Sequence, residues 1–146
     1  MNKQKRNGAF TLIEIMIVIG IMGVILAILL PAIGTKKSAN IQATAQSVVS
    51  LYTASNSWLS NHGVQNYTGL DIDVLITENL VPGGFDGTNI FGGSFTVDPS
   101  AADATALVIT ATSVPEYAGQ PIADKLEVNA STAAYDSGTK VLTVTY

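Results

Sequence analysis

Glu14 is the only ionisable side chain between Arg6 and Lys36, and it stands at the start of an apolar run. Residues 15–35 form 21 consecutive positions without a charge. A carboxylate held in an apolar helix costs roughly 2.5–3.5 kcal/mol on insertion scales, so it calls for a cationic partner. The other chemically active residues are sparse. There is one histidine, His62, and no cysteine. That excludes thiolate nucleophiles, thiolate metal sites and disulfides, and leaves no material for a multi-histidine metal site. A Ser–His–Asp arrangement would have to be built on His62 alone. Asp71 and Asp73 are two apart but lack the ligand spacing of a calcium loop, and Asp71 reads better as a helix cap. No cofactor and no metal are expected, and an enzyme is not the expected class.

The element that carries Glu14 is long enough to cross a bilayer, since about 20 helical residues cover the ~30 Å hydrocarbon core. Ahead of it, residues 1–9 hold Lys3, Lys5 and Arg6 and no acid. The positive-inside rule keeps such a leader in the cytoplasm and sends the following chain outward. From Phe10 onward four lysines face eleven acids, a net of −7. That balance disfavours a nucleic-acid groove, which needs clustered Lys and Arg, and favours a soluble, self-repelling exterior. A cleaved signal peptide, an uncut signal anchor and a run retained after a short leader is cut are all open on these features. The run exceeds the ~7–15 apolar residues of an ordinary signal peptide.

The residues G-A-F-T-L-I-E-I-M-I-V-I-G, from Gly8 to Gly20, resemble the N-terminus of type IV pilins and related pseudopilins. The resemblance implies that a prepilin peptidase cuts between Ala9 and Phe10, that Phe10 is then N-methylated, and that the apolar run stays in the mature chain. Gly is the usual residue before the cut; here Ala9 holds that place and Gly8 precedes it. It further implies that Glu14 of one subunit pairs with the Phe10 amine of a neighbour and sets axial register. Within the later half, L-I-T-E-N-L-V-P and N-I-F-G-G-S-F-T-V resemble the type IVb-like pilins of conjugative thin pili. The pattern departs at Ala118, where those pilins carry a cysteine, and the tail lacks the second one.

The expected architecture is α+β and pilin-like, a long N-terminal helix packed on a C-terminal antiparallel β-sheet. Residues 1–9 form a cleaved leader, 10–33 a transmembrane and filament-core helix, and 34–146 a globular head. Within the head a helix is expected over 34–60, a loop over 61–93 and a sheet over 94–146. Ile41, Ala45, Val48, Tyr52 and Leu59 recur at helical spacing and should face that sheet. Gly63 is placed to end the helix. A short turn of helix is expected over 72–79, and strands over 94–97, 107–114, 125–128 and 140–146, the last entered through a turn at 136–138. Gly20, Gly23 and Pro31 should weaken the first half of the helix, by low propensity or by a lost backbone bond. Lys36 and Lys37 read as a solvated helix surface. Asn66-Tyr67-Thr68 and Asn129-Ala130-Ser131 satisfy the short glycosylation pattern, and no modification is assigned to them.

The resemblance to pilins implies a homo-oligomeric helical filament subunit. It would wait in the inner membrane, be processed by a prepilin peptidase, and be raised by the inner-membrane pilus assembly machinery into an extracellular pilus. A type II secretion pseudopilin is the alternative within the same assembly class. A signal-anchored binding module or enzyme is the alternative from another.

Overall fold

The computed structural model describes residues 12–146, with the side chains at 12, 23, 24 and 26–34 outside the description. Gly8, Ala9 and Phe10 lie outside the described residues. The chain divides into two units, Met1–Lys36 and Lys37–Tyr146. Helix α1 (Leu12–His62) contributes to both. In the first unit it is rich in Ile and Val, which have modest helix propensity. A helix nonetheless satisfies every backbone group within the segment, which an apolar surrounding demands.

In the second unit α1 presents Thr44, Val48, Leu51, Ser55 and Trp58 at helical spacing, all of them buried. This face is turned slightly from the expected one: Ala45 and Val48 are buried, whereas Ile41, Tyr52 and Leu59 flank the core half-covered. Ser55 is tolerated at full burial because its hydroxyl donates to the Leu51 carbonyl one turn back, at 2.8 Å. The helix stops at Gly63, whose φ of 64° suits glycine. The Val64 amide donates back to the Leu59 carbonyl at 3.2 Å, which closes the helix in a Schellman arrangement.

Helix α2 (Ile72–Thr77) occupies the expected turn, and the Asp71 carboxylate caps it by accepting from the Val74 amide at 2.8 Å. Four strands follow, β1 (Phe95–Pro99), β2 (Leu107–Ala111), β3 (Thr132–Asp136) and β4 (Val141–Thr145), in the antiparallel order β1-β2-β4-β3. Alternation decides which face is buried. Phe95, Val97, Leu107, Ile109, Ala111, Leu142 and Val144 point into the core shared with α1. The registers Thr96↔Thr110 and Thr110↔Thr143 line a row of threonines on the opposite face.

One element differs in kind from the expectation. Residues 125–128 do not form a strand; Lys125 and Leu126 end helix α3 (Glu116–Leu126). Ala118, Ile122 and Leu126 are four apart, and with Ala123 they make its buried face. Gly119 and the internal Pro121 obscure that pattern in the sequence. The fourth strand is β3 instead, whose T-A-A-Y-D has little β signal of its own and is held by in-register pairing with β4. The expected strand over 107–114 also stops early, because Ser113 at φ 58° turns the chain toward α3.

Candidate assembly site

In the first turn of α1, Glu14 is solvent-exposed, where an acid also complements the helix dipole. The side chains around it are apolar and outward-facing. Ile13, Ile15, Met16, Ile17, Val18 and Ile19 are each between 50 and 66% exposed. Successive helical residues point in different directions, so this stretch is apolar on every side. A helix of that kind is buried in lipid or among other helices. Around Gly20 a methyl group would meet nothing within 4 Å, so among the described residues no contact requires glycine there. The assigned helix continues through positions 20, 23 and 31. Among the described residues no helix is long and apolar enough to cross a membrane. Most side chains of the run from 23 to 34 lie outside that set.

The residues that might have carried other chemistry have structural posts. His62 stacks on Trp58 with ring centroids 4.7 Å apart, and its Nε2 lies 3.5 Å from the Glu78 carboxylate. It therefore fastens the end of α1 to the segment after α2. Asp86 and Asp103 each accept both the amide and the hydroxyl of the threonine two residues on, Thr88 and Thr105. Those bonds hold both carboxyls below the usual aspartate range. Asp136 is likewise lowered, by hydrogen bonds from Thr139 and Gly138 in the β3–β4 turn. Among the described residues no group of three His, Asp or Glu side chains is placed to share a metal ion. A cleft of about 490 Å³ beside α1 and the end of α3 is bordered by Gln42, Gln46, Lys125 and Asn129 and carries no carboxylate.

Sequence reasoning missed one cluster. Lys37, read as solvated, has its Nζ 4.9 Å from the centroid of the Tyr117 ring. Phe91 meets the same ring edge-on at 6.3 Å. These three residues come from α1, α3 and the loop before β1, far apart in the chain, and no local spacing announces them. Ala118, at the place where a cysteine was looked for, is fully buried in α3.

Residues 4–30 match the family described as "Prokaryotic N-terminal methylation motif". Residues 35–144 match the family described as "PilS N terminal". Two curated relatives are each named "Type II secretion system core protein G". The one from Vibrio cholerae serotype O1 is 28% identical over 83 residues, 56% of this chain and 57% of that protein. The one from Klebsiella michiganensis is 34% identical over 83 residues, 56% of this chain and 58% of that protein. The chain thus spans a little over half the length of these relatives.

Proposed function

The chain belongs to the PilS N-terminal family, with a prokaryotic N-terminal methylation motif directly ahead of that match, and from this premise we propose that it is the structural subunit of a type IV pilus. The observation that carries the reading is the order of the two matches, 4–30 and then 35–144, joined through one helix. The motif implies a membrane-anchored precursor and then a filament of many copies, and the matched families are structural rather than enzymatic. The leader 1–9 is removed between Ala9 and Phe10, Phe10 is methylated, and 10–33 waits in the inner membrane. On assembly, neighbouring helices take the place of lipid around the apolar run, and the head faces out of an extracellular pilus.

Glu14 is the register residue in this scheme. In the filament its proposed partner is the new amine of Phe10 on an adjacent subunit, a cation placed four residues before it by the cut. Removing one partner of a buried pair costs about 3–5 kcal/mol, which leaves too little stability for ordered helix packing. The Glu14→Ala chain should therefore insert and be processed normally yet form few or no filaments. Wild-type filament yield from that variant, counted by electron microscopy, would refute the assignment. Mass spectrometry of the mature N-terminus checks the cut: methylated Phe10 supports it, and a chain starting at Met1 or beyond Ala32 removes it.

A second reading, a type II secretion pseudopilin, is favoured by the similarity to the two type II secretion system core proteins G. The family matched by the head favours the pilus. Long surface filaments containing this chain decide for the pilus, and short periplasmic structures decide for the pseudopilin.

A further inference from the structure

We propose that Asn129 is the acceptor of an N-linked oligosaccharide whose first sugars settle in the adjoining cleft between α1 and the end of α3. The inference rests on the reading in which the head is exported, because the Asn-x-Ser/Thr pattern is used on surface loops of secreted proteins.

Two stretches carry the pattern, Asn66-Tyr67-Thr68 and Asn129-Ala130-Ser131, and the fold treats them differently. Both the carboxamide and the hydroxyl of the pattern must reach an enzyme's groove. Around Asn66 the chain is tied down. The Asn66 Oδ1 accepts from the Thr68 amide at 3.2 Å. Tyr67 is buried, donates its hydroxyl to Asn56 at 2.9 Å and its amide to the Ala104 carbonyl at 2.8 Å. Drawing this stretch out breaks those bonds and uncovers an aromatic ring. Asn129 and Ser131 are both exposed, and neither side chain is hydrogen-bonded among the described residues. Val128 beside them is 81% exposed. The Asn129 and Ala130 amides both turn to the Leu126 carbonyl at 3.0 Å, as the last turn after α3. Such a helix end, with little apolar surface to uncover, opens at low cost. Glu127, two residues ahead of Asn129, gives an enzyme a charge to hold, whereas Val64 and Gln65 precede Asn66.

The cleft of about 490 Å³ that Asn129 borders suits what the pattern would attach. Gln42 and Gln46 line it from α1 and Lys125 from α3, with Ala45 and Val49 as its apolar lining. Val49 is 42% exposed. Side-chain carboxamides donate and accept at once, as sugar hydroxyls do, and the C–H face of a sugar ring covers aliphatic carbon. An oligosaccharide attached to Asn129 begins at the rim of this cleft, so attachment supplies the high local concentration that an open polar site needs. In the transfer, Asn129 Nδ2 attacks the anomeric carbon of a sugar carried on polyprenyl pyrophosphate. The nitrogen–carbon bond forms and the bond from that carbon to the phosphate oxygen breaks. Polyprenyl pyrophosphate leaves with the electron pair, and one Nδ2 proton passes to a base of the enzyme.

The full chain in detergent micelles would be treated with a purified bacterial oligosaccharyltransferase and a polyprenyl-pyrophosphate-linked oligosaccharide. Peptide mass spectrometry should find the oligosaccharide on Asn129, with several-fold lower occupancy at Asn66, and Asn129→Gln should remove it. No transfer to Asn129 in the folded chain overturns the proposal, and so does equal transfer to Asn66, since the fold then makes no choice. The attached glycan should raise the melting temperature, followed by Trp58 fluorescence, by several degrees. Gln42→Ala with Gln46→Ala should abolish that rise without preventing transfer. A glycan that leaves the melting temperature of the otherwise unaltered chain unchanged overturns its placement in the cleft. Transfer in micelles but not in cells, where the same enzyme works on the outer face of the inner membrane, overturns the exported reading and not the acceptor site.

Discussion

Gly119 shows how much one residue can decide. A methyl group there would overlap the ring of Tyr135, whose hydroxyl donates to the Val114 carbonyl at 2.8 Å. The missing side chain lets α3 lie close to β3, and the tyrosine bond then ties β3 to the start of α3. Gly119→Ala should destabilise the head by about 1–3 kcal/mol, the usual range for overpacking a filled core. Urea unfolding followed by tryptophan fluorescence measures it, because Trp58 is the one indole and lies in the core. Tyrosines also set a pH limit. Burial raises Tyr67 and Tyr146 above the ordinary 10.0, with Tyr52 adding to both shifts. Their neutral forms are favoured in the folded state, so their contribution is intact below about pH 10 and is lost as pH climbs through the raised values. A melting-temperature profile should fall above that pH, and Tyr67→Phe should flatten the fall while lowering stability at neutral pH through loss of the bond to Asn56. On the acid side the signs reverse: Asp86, Asp103 and Asp136 stabilise their turns while ionised, and that help fades as pH falls through their lowered values.

At the scale of elements, the side-chain amide of Asn89 joins the loop before β1 to the end of β2. Asn89 is 7% exposed; its Nδ2 donates to the Thr112 carbonyl at 2.7 Å, and its Oδ1 accepts from the Phe91 and Gly93 amides. Gly93 must be glycine, because a Cβ would strike the Thr112 backbone. Asn89→Ala strands these backbone groups and should cost about 1–3 kcal/mol. Faster hydrogen exchange at the Phe91 and Gly93 amides, with β4 unchanged, is the expected signature. The helix α1, its Gly63 stop, α2 with its Asp71 cap and three of the four strands were legible because their signals are local. Helix α3 was not, since Gly119 and Pro121 look like breakers until the contact with Tyr135 is seen. Strand β3 was missed for the converse reason: its residues are ordinary, and its partner β4 makes it a strand.

For the whole molecule, the proposed pilus reading asks a helix suited to lipid to serve also as the core of a filament. Gly20, Gly23 and Pro31 fall in one stretch of α1, and the helix continues through it in the single subunit. We propose that, if the helix loosens on assembly, it does so here, where one backbone bond is missing and two residues are poor helix formers. Pro31→Ala restores the bond and removes about 3 kcal/mol of local helix cost. Filaments of this variant should extend less under force in an optical trap than wild-type filaments, and equal extension would show that Pro31 has no such part.

The sequence alone determined the apolar run, the lone acid at its head, the resemblance in Gly8–Gly20 and the plan of one long helix followed by a sheet. The resemblance rests on the residues of that motif; the rest follow from charge, length and periodicity, which are properties of neighbouring residues. Only the tertiary structure decided that Gly119 and Tyr135 fit together, that Asn89 pins its loop to Thr112, and that Lys37 lies over Tyr117 beside Phe91. Each joins segments distant in the chain, and the energy of such contacts depends on packing geometry that local spacing does not encode.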